Sequence, residues 1–312
     1  MTKINILSSA EYLYLRDNLT NMDPTFVDMR ILTERFPDGE YHWIVEDAHR
    51  IRGKPAVYIC GTINEKAIFE LYNIASTLVR EQCCSLHLVL PYFGYSTMER
   101  ANQRGEATTA KNIACLLSSI PKSPHGNFIY LLDLHSAGIQ YYFERSVHPI
   151  HLTSNSIVKQ MIKDCGGNIV LASADMGCAK WIEKLGNELD LSTAYIMKKR
   201  IDGIHTEVQA LNADVKNRDV VIFDDMIRSG SSIIKAAIAY RDAGAKEIHV
   251  VAVHGVFAKN AIDDIFRTGV VKDIRCTNSH ANTSAYSNTP NVQVYDITAT
   301  IYEDLMLNHP PM

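Results

Sequence analysis

The stretch from Arg218 to Ala245, RDVVIFDDMIRSGSSIIKAAIAYRDAGA, restricts the fold more than any other part of the chain. Val220, Val221, Ile222 and Phe223 form an unbroken run of β-branched and aromatic residues, the pattern of a strand covered on both faces in a parallel sheet. The run ends at Asp224 and Asp225, where the strand is expected to stop. Ser229, Gly230, Ser231 and Ser232 then make a small-residue loop. Ile234, Ala237, Ile238 and the alkyl stem of Arg241 recur at helical spacing until Gly244 closes the helix. A strand, a hydroxyl-rich turn and a helix in this order expose backbone N–H groups at a helix N-terminus, where a phosphate dianion can be held. Two acids at the C-terminal edge of such a strand suit sugar hydroxyls or a magnesium-borne group. Phosphate beside diol describes a ribose 5-phosphate. A solvated strand end with an ordinary serine cap would produce the same letters.

The rest of the composition narrows the class. A chain of 312 residues is long enough for two domains with separate cores. Its net charge of -4 argues against a general nucleic-acid binder, which needs a strongly basic face. The start MTKINILSSA has no apolar core of signal-peptide length and no apolar run approaches a membrane span, so a soluble, cytoplasmic protein is expected. The seven cysteines, Cys60, Cys83, Cys84, Cys115, Cys165, Cys178 and Cys276, include no C-x-x-C pair and fall mostly among apolar residues. They are expected to be reduced core thiols.

Taken in order, the chain alternates strands and helices. Ile4–Leu7, Ala56–Cys60, Leu86–Leu90 and Asn127–Leu132 read as strands, with a helical period at Ile68, Leu71, Ile74, Leu78 and Val79 between the second and third. Pro149 to Thr153 looks like the crossing into a second domain, and the alternation restarts with a helix from Ser154 to Asp164 and a strand at Ile169–Ala172. Thr193–Met197 reads as a short strand, followed by the basic cluster Lys198, Lys199 and Arg200 and a return strand of a hairpin from Ile204 to Leu211. Ile248–Val253, Ile274–Cys276 and Val292–Asp296 complete the strands, and a helix from Thr298 is expected to pack back on the first domain. The domains expected are 1–150 and 151–297, with 298–312 joining the first.

Several segments share a resemblance. DDMIRSGSS is similar to the binding signature for phosphoribosyl diphosphate (PRPP) shared by phosphoribosyltransferases and ribose-phosphate pyrophosphokinases, and DLHSAGIQYYF, PYFGY and RFPDGEYHW resemble segments of the pyrophosphokinases. The STMER and ATTAKNIA wording is similar to the plant-type, class II branch. The resemblance runs from Arg35 to the TNS segment at 277–279. It implies two tandem, doubly wound α/β domains of the type I phosphoribosyltransferase-like fold, each with a mainly parallel sheet, and transfer of the β,γ-diphosphoryl group of ATP to the C1 hydroxyl of ribose 5-phosphate, giving PRPP and AMP.

Residue roles follow from the same resemblance. Lys198 and Arg200 match the pair on the family's catalytic flexible loop. Phe36, Asp38 and Glu40 inherit the adenine contact, often made across a subunit interface, which implies a homo-oligomer of at least two chains. Arg100 and Arg104 are available to ATP phosphates. His135 inherits a contact to the metal-diphosphate group. Asp175, which on residue type alone could equally cap the following helix, is assigned by the resemblance to magnesium. Asp224 and Asp225 would hold the ribose hydroxyls, and Arg228, Ser229, Gly230, Ser231 and Ser232 the 5-phosphate. The chain departs from common members at Thr97 and Met98, at Ala174 and Cys178, and at Arg228. A phosphoribosyltransferase would leave the DLH and PYFGY segments without a purpose. A non-catalytic regulatory homologue fits less well because Lys198 and Arg200 persist.

Overall fold

Runs of aliphatic residues become parallel strands wherever both faces can be covered by helices, and this chain does so twice. The computed structural model describes residues 3–144, 147–174, 176–200, 206–211 and 214–308. These divide into two units, Met1–Thr153 with Thr298–Met312, and Ser154–Ile297.

The first unit contains β1 (Ile4–Ser8), α1 (Leu13–Met22), β2 (Phe26–Asp28), β3 (Ile31–Arg35), β4 (Tyr41–Val45), β5 (Ala56–Ile59), α2 (Glu65–Arg80), β6 (Leu86–Leu90), α3 (Thr109–Ser118), β7 (Asn127–Leu132) and β8 (Val147–Leu152). Its sheet has the order β2-β1-β5-β6-β7-β8, all parallel, with β3 and β4 forming a separate antiparallel hairpin. Pro149–Thr153 is therefore not a bare crossing: most of it is the edge strand β8, a position that tolerates Pro149. Leu71, Ile74 and Leu78 of α2 and Ile113, Ala114 and Leu117 of α3 cover one face of the sheet.

The second unit contains α4 (Asn155–Lys163), β9 (Ile169–Ser173), α5 (Ala179–Leu189), β10 (Ser192–Ala194), β11 (Ile196–Arg200), β12 (Thr206–Leu211), β13 (Asp219–Ile227), α6 (Ser231–Asp242), β14 (Glu247–Gly255), α7 (Ala261–Arg267), β15 (Asp273–Thr277) and β16 (Val292–Tyr295). Its sheet order is β10-β9-β13-β14-β15-β16, again all parallel, with β11 and β12 as an antiparallel hairpin. Counted within each unit, both sheets run 2-1-3-4-5-6 with a hairpin inserted after the second strand. In the second unit α6 and α7 cover one face with Ile233, Ala236, Ala237, Ile262 and Ile265, and α4 and α5 the other with Val158, Met161, Ile162, Ile182 and Leu185. The sheet is doubly wound.

The terminal helix α8 (Thr298–Asn308) belongs to the first unit. The Tyr302 hydroxyl donates to Asp23 Oδ2 at 3.0 Å, its ring meets Phe26 edge-on, and Asn18 Nδ2 donates to Thr298 Oγ1 at 3.2 Å. Ile301 and Leu305 are buried.

Two local readings are corrected. The central strand β13 does not stop at Asp224 but runs on to Ile227, because β14 pairs with it as far as Gly255. The buried face of α6 is Ile233, Ala236, Ala237 and Tyr240, one residue round from the expected stripe, and Ile238 is exposed. In an alanine-rich helix two adjacent faces have similar hydrophobicity. Tyr240, wholly buried with its hydroxyl donating to the Ser173 carbonyl at 3.1 Å, decides which one turns inward.

Candidate functional site

A sheet wound in this order reverses direction beside its first strand, and the crevice beyond the strand ends at that point is where such folds hold ligands. In the second unit the reversal lies between β9 and β13. β9 pairs with β13 from Asp219↔Ile169 to Phe223↔Ser173. On the other side β14 continues through Asp224↔Ala252 to Ile227↔Gly255. Asp224 thus sits one step and Asp225 two steps past the last β9 pairing, where, among the described residues, β13 pairs with β14 alone. Both are half-buried, and Asp224 Oδ1 accepts the Asp225 N–H at 3.0 Å.

After Ile227 the chain turns through Arg228 and Ser229, both exposed, to Gly230, the N-cap of α6. The first intrahelical bond is Ile234 N–H to the Gly230 carbonyl at 2.9 Å, so helix geometry leaves the N–H groups of Ser231, Ser232 and Ile233 without intrahelical partners. The Ser229 hydroxyl donates to Ser231 Oγ at 3.2 Å, drawing two hydroxyls together at this helix start. The Tyr240 bond to Ser173 ties the same helix to the end of β9.

Gly230 has φ +76, and a Cβ there would lie 2.7 Å from Ile265 Cδ1. Strain and overlap therefore coincide. Gly230→Ala is expected to lower the unfolding free energy by roughly 1–3 kcal/mol and to weaken whatever the turn binds. Urea denaturation and a KM measurement would read the two effects separately.

The equivalent reversal in the first unit, between β1 and β5, is differently furnished. Tyr12 is fully buried, and a Cβ on Gly61, just beyond β5, would come within 2.8 Å of its hydroxyl. The tyrosine packs directly against the backbone at Gly61.

This unit carries its candidate residues on other loops. Phe36, Asp38 and Glu40 share the β3–β4 turn: Gly39 N–H donates to the Phe36 carbonyl at 2.9 Å, Phe36 N–H to the Glu40 carbonyl at 2.8 Å, and Glu40 N–H to Asp38 Oδ1 at 3.0 Å. Phe36 is 45% exposed and stacks on His42. Arg100 and Arg104 are exposed on the loop after β6, and His135 is exposed on the loop after the adjacent strand β7. The Tyr142 hydroxyl donates to the Glu99 carbonyl at 2.8 Å and joins these two loops. The backbone at Asp133 is left-handed, φ 38.

Lys198 and Arg200 occupy β11 two positions apart, paired with Val208 and Thr206 of β12. The basic cluster is thus part of a hairpin strand, entered through a register irregularity between Met197 and Lys198. Asp175 lies outside the described residues.

A buried polar group on β14 and β15 has no counterpart among the expected site residues. His254 Nδ1 lies 2.8 Å from Ser279 Oγ, and the Thr277 hydroxyl donates to the Val253 carbonyl at 2.7 Å. The sequence signal was present in the HGVF and TNS segments, but the contact spans 25 residues and no local pattern announces it.

Next to this group is His280, whose burial, with the neighbouring His254, pulls its pKa down from 6.5 to about 4. The unfolded chain takes up this proton first. The contribution is complete above pH 6.5 and is lost as pH falls towards 4, by roughly 1–3 kcal/mol. Urea denaturation at pH 7.5 and pH 5 should show it, and His280→Asn should flatten the slope.

Metal-type donors also converge at the opposite edge of this sheet, where Cys165, His249 and Asp273 bring ligand atoms within 4.8 Å of one another. A guanidinium already fills that position. Arg275 Nη1 lies 2.6 Å from Asp273 Oδ1 and 2.7 Å from Cys165 Sγ, Nε donates to Gln293 Oε1 at 3.2 Å and Nη2 to the Asp164 carbonyl at 3.3 Å. His249 Nδ1 is 2.8 Å from Asp273 Oδ2. Burial pushes the Cys165 thiol up to about 12 despite the arginine. The group is a buried ion-pair network in which Cys165 is a thiol. All seven cysteines are free, as expected of reduced thiols; Cys60, Cys83 and Cys276 are buried in the cores, whereas Cys84, Cys115, Cys165 and Cys178 are only half-buried.

Comparison with known proteins covers both units. Residues 147–285 match the family model for the phosphoribosyl transferase domain, and residues 21–120 that for the N-terminal domain of ribose phosphate pyrophosphokinase. The chain is 32% identical to the ribose-phosphate pyrophosphokinase of Chlorobaculum tepidum over 250 residues, 79% of this chain and 74% of the relative. It is 29% identical to that of Pyrococcus abyssi over 79% of this chain and 82% of the relative. A chloroplastic relative from Oryza sativa is 28% identical over 74% of this chain and 57% of its own length, so the identities do not single out a plant-type branch. The crystal structure of phosphoribosylpyrophosphate synthetase from Mycobacterium smegmatis superimposes with a TM-score of 0.85 over 99% of both chains at 20% identity, which shows the shared fold.

Proposed function

The chain belongs to the ribose-phosphate pyrophosphokinase family, and on that premise we propose that it transfers the β,γ-diphosphoryl group of ATP to the C1 hydroxyl of ribose 5-phosphate, giving PRPP and AMP. The observation that carries this reading is the arrangement at the β9/β13 reversal: paired acids just beyond the last pairing of β13 with β9, followed by a glycine-capped serine turn at a helix start.

Asp224 and Asp225 hold the ribose hydroxyls, and Ser229, Ser231 and Ser232 with the N–H groups of the α6 start hold the 5-phosphate, joined by Arg228. The C1 oxygen attacks the β-phosphorus of ATP. The bond from that phosphorus to the oxygen bridging it to the α-phosphorus breaks, AMP leaves with the bridging oxygen, and the hydroxyl proton is released. Charge accumulates on the moving group and on the departing oxygen, so positioning and cationic stabilisation do most of the work. Lys198 and Arg200 supply that stabilisation. Phe36, Asp38 and Glu40 take the adenine, and Arg100 and Arg104 the ATP phosphates.

The donor set fits magnesium carried in on the nucleotide rather than caged by protein. His135 is an exposed imidazole and Asp224 already accepts a backbone N–H, and magnesium commonly keeps its waters and takes one or two protein ligands besides phosphate. His135 and Asp175 are its proposed protein contacts. Bound there, the ion would supply neutralisation of phosphate charge.

An adenine turn shared between subunits makes the protein a homo-oligomer. The exposed Leu32, Phe36 and Ile44 of the β3–β4 hairpin support this. Among the described residues no helix is long and apolar enough to cross a membrane, and a cytoplasmic location accords with the substrates. The STMER and ATTAKNIA wording supports assignment of the chain to the class II branch. A coupled assay for AMP release tests the function: AMP should appear only with both ribose 5-phosphate and magnesium present. Release of ADP instead would reject it.

A further inference from the structure

The turn that follows β14 is strained, and the strain is held from several sides. Phe257, a bulky residue, has φ 44, and Lys259 has φ 55. Such backbone persists where surrounding contacts over-determine it, and it concentrates at functional sites. The Val256 N–H donates back to the His254 carbonyl at 3.1 Å, which tightens the turn.

Three groups pin it. His254, 2% exposed, is bonded to Ser279 Oγ, and Ser279 is itself held 2.8 Å from Thr277 Oγ1. Asn282 Nδ2 donates to the Val256 carbonyl at 2.7 Å. The Phe257 ring, 3% exposed, packs edge-on against Tyr286.

The turn uses its own N–H groups on the serine loop. Phe257 N–H donates to the Ile227 carbonyl and Ala258 N–H to the Arg228 carbonyl, both at 2.9 Å. These are the two peptides that lead from the acid-bearing strand into Ser229 and Gly230. A trans peptide sets its C=O and N–H in opposite directions, so holding these carbonyls toward 257–258 sends the N–H groups of Arg228 and Ser229 away from the turn.

We propose that residues 254–258 are a brace that sets the shape of the ribose 5-phosphate turn, with His254 as a positioning residue acting through its bond to Ser279. The inference rests on the reading of Arg228 to Ser232 as the phosphate-holding turn. Neither His254 nor Ser279 is assigned to touch substrate. Their effect is on the substrate this loop receives, and ATP binding is independent of it.

The test compares KM for ribose 5-phosphate with KM for ATP in the full-length protein. His254→Leu and Ser279→Ala should each raise the ribose 5-phosphate KM by about tenfold or more while the ATP KM stays within about twofold. His254→Asn, whose amide reaches the position of Nδ1, should restore most of the loss. The double variant should be no worse than the worse single, since both remove one bond. Equal rises in both KM values, or an unchanged ribose 5-phosphate KM in folded protein, would overturn the brace. If His254→Leu does not fold, Asn282→Ala removes the second pin from the far side of the turn and must raise the same KM. Ser231→Ala separates this from the underlying reading. If it raises the ribose 5-phosphate KM and the brace variants do not, the brace alone is wrong; if it too leaves that KM unmoved, the phosphate-turn assignment is wrong.

Discussion

Lys198→Ala is expected to lower kcat by roughly 100- to 1000-fold, the loss associated with removing one donor that stabilises transition-state charge. The KM for ribose 5-phosphate should stay within about threefold, because uniform binding and transition-state binding separate in this way. Lys198 lies on β11, two positions from Arg200, and among the described residues that hairpin pairs with neither the acids of β13 nor the serine turn. A lysine that merely decorated a hairpin edge would leave kcat unchanged. Lys198→Arg is the informative companion: a planar guanidinium keeps the charge but not the compact ammonium geometry, so an intermediate kcat is expected. Initial-rate kinetics at saturating ATP distinguish these outcomes.

The second large effect concerns stability. Arg275→Ala should lower the unfolding free energy by about 3–5 kcal/mol, because it strips a buried carboxylate of its cation rather than removing the pair together. Arg275 and Asp273 are both nearly inaccessible and 2.6 Å apart, and the guanidinium also ties β15 to β16 through Gln293 and to the end of α4 through the Asp164 carbonyl. The double variant Arg275→Met, Asp273→Asn should recover much of the loss. Urea denaturation of the three proteins checks this, and a single variant as stable as the double would contradict the network.

The core of the fold was legible because parallel strands write themselves as apolar runs. Val220 to Phe223 is such a run, and its continuation into acids and then a serine turn marked, without any tertiary information, the strand end proposed to bind substrate. The same rule misplaced the strand's end. The unbroken apolar run ends at Phe223, whereas pairing stops at Ile227: the two acids interrupt the run, and buried Met226 and Ile227 continue the ladder with β14. The rotated face of α6 has a related cause: Ile234 and Ile238 satisfy a helical period as well as Ile233 and Ala237 do, and the choice falls to a hydrogen bond from Tyr240 to a strand 67 residues away. Tyr12 against Gly61 and His254 against Ser279 were beyond reach for the same reason. Each depends on the packing of segments far apart in sequence, and a lone tyrosine or histidine in an apolar stretch does not name its partner.

Transfer of label from ATP carrying its isotope at the β-phosphorus tests the central claim most directly. If the second unit presents a pentose phosphate to ATP, then with ribose 5-phosphate and magnesium the label should leave the nucleotide together with the γ-phosphorus, appear at C1 of the sugar, and leave unlabelled AMP behind. Label retained in a nucleoside diphosphate, with the γ-phosphoryl group alone on the sugar or in water, would contradict it.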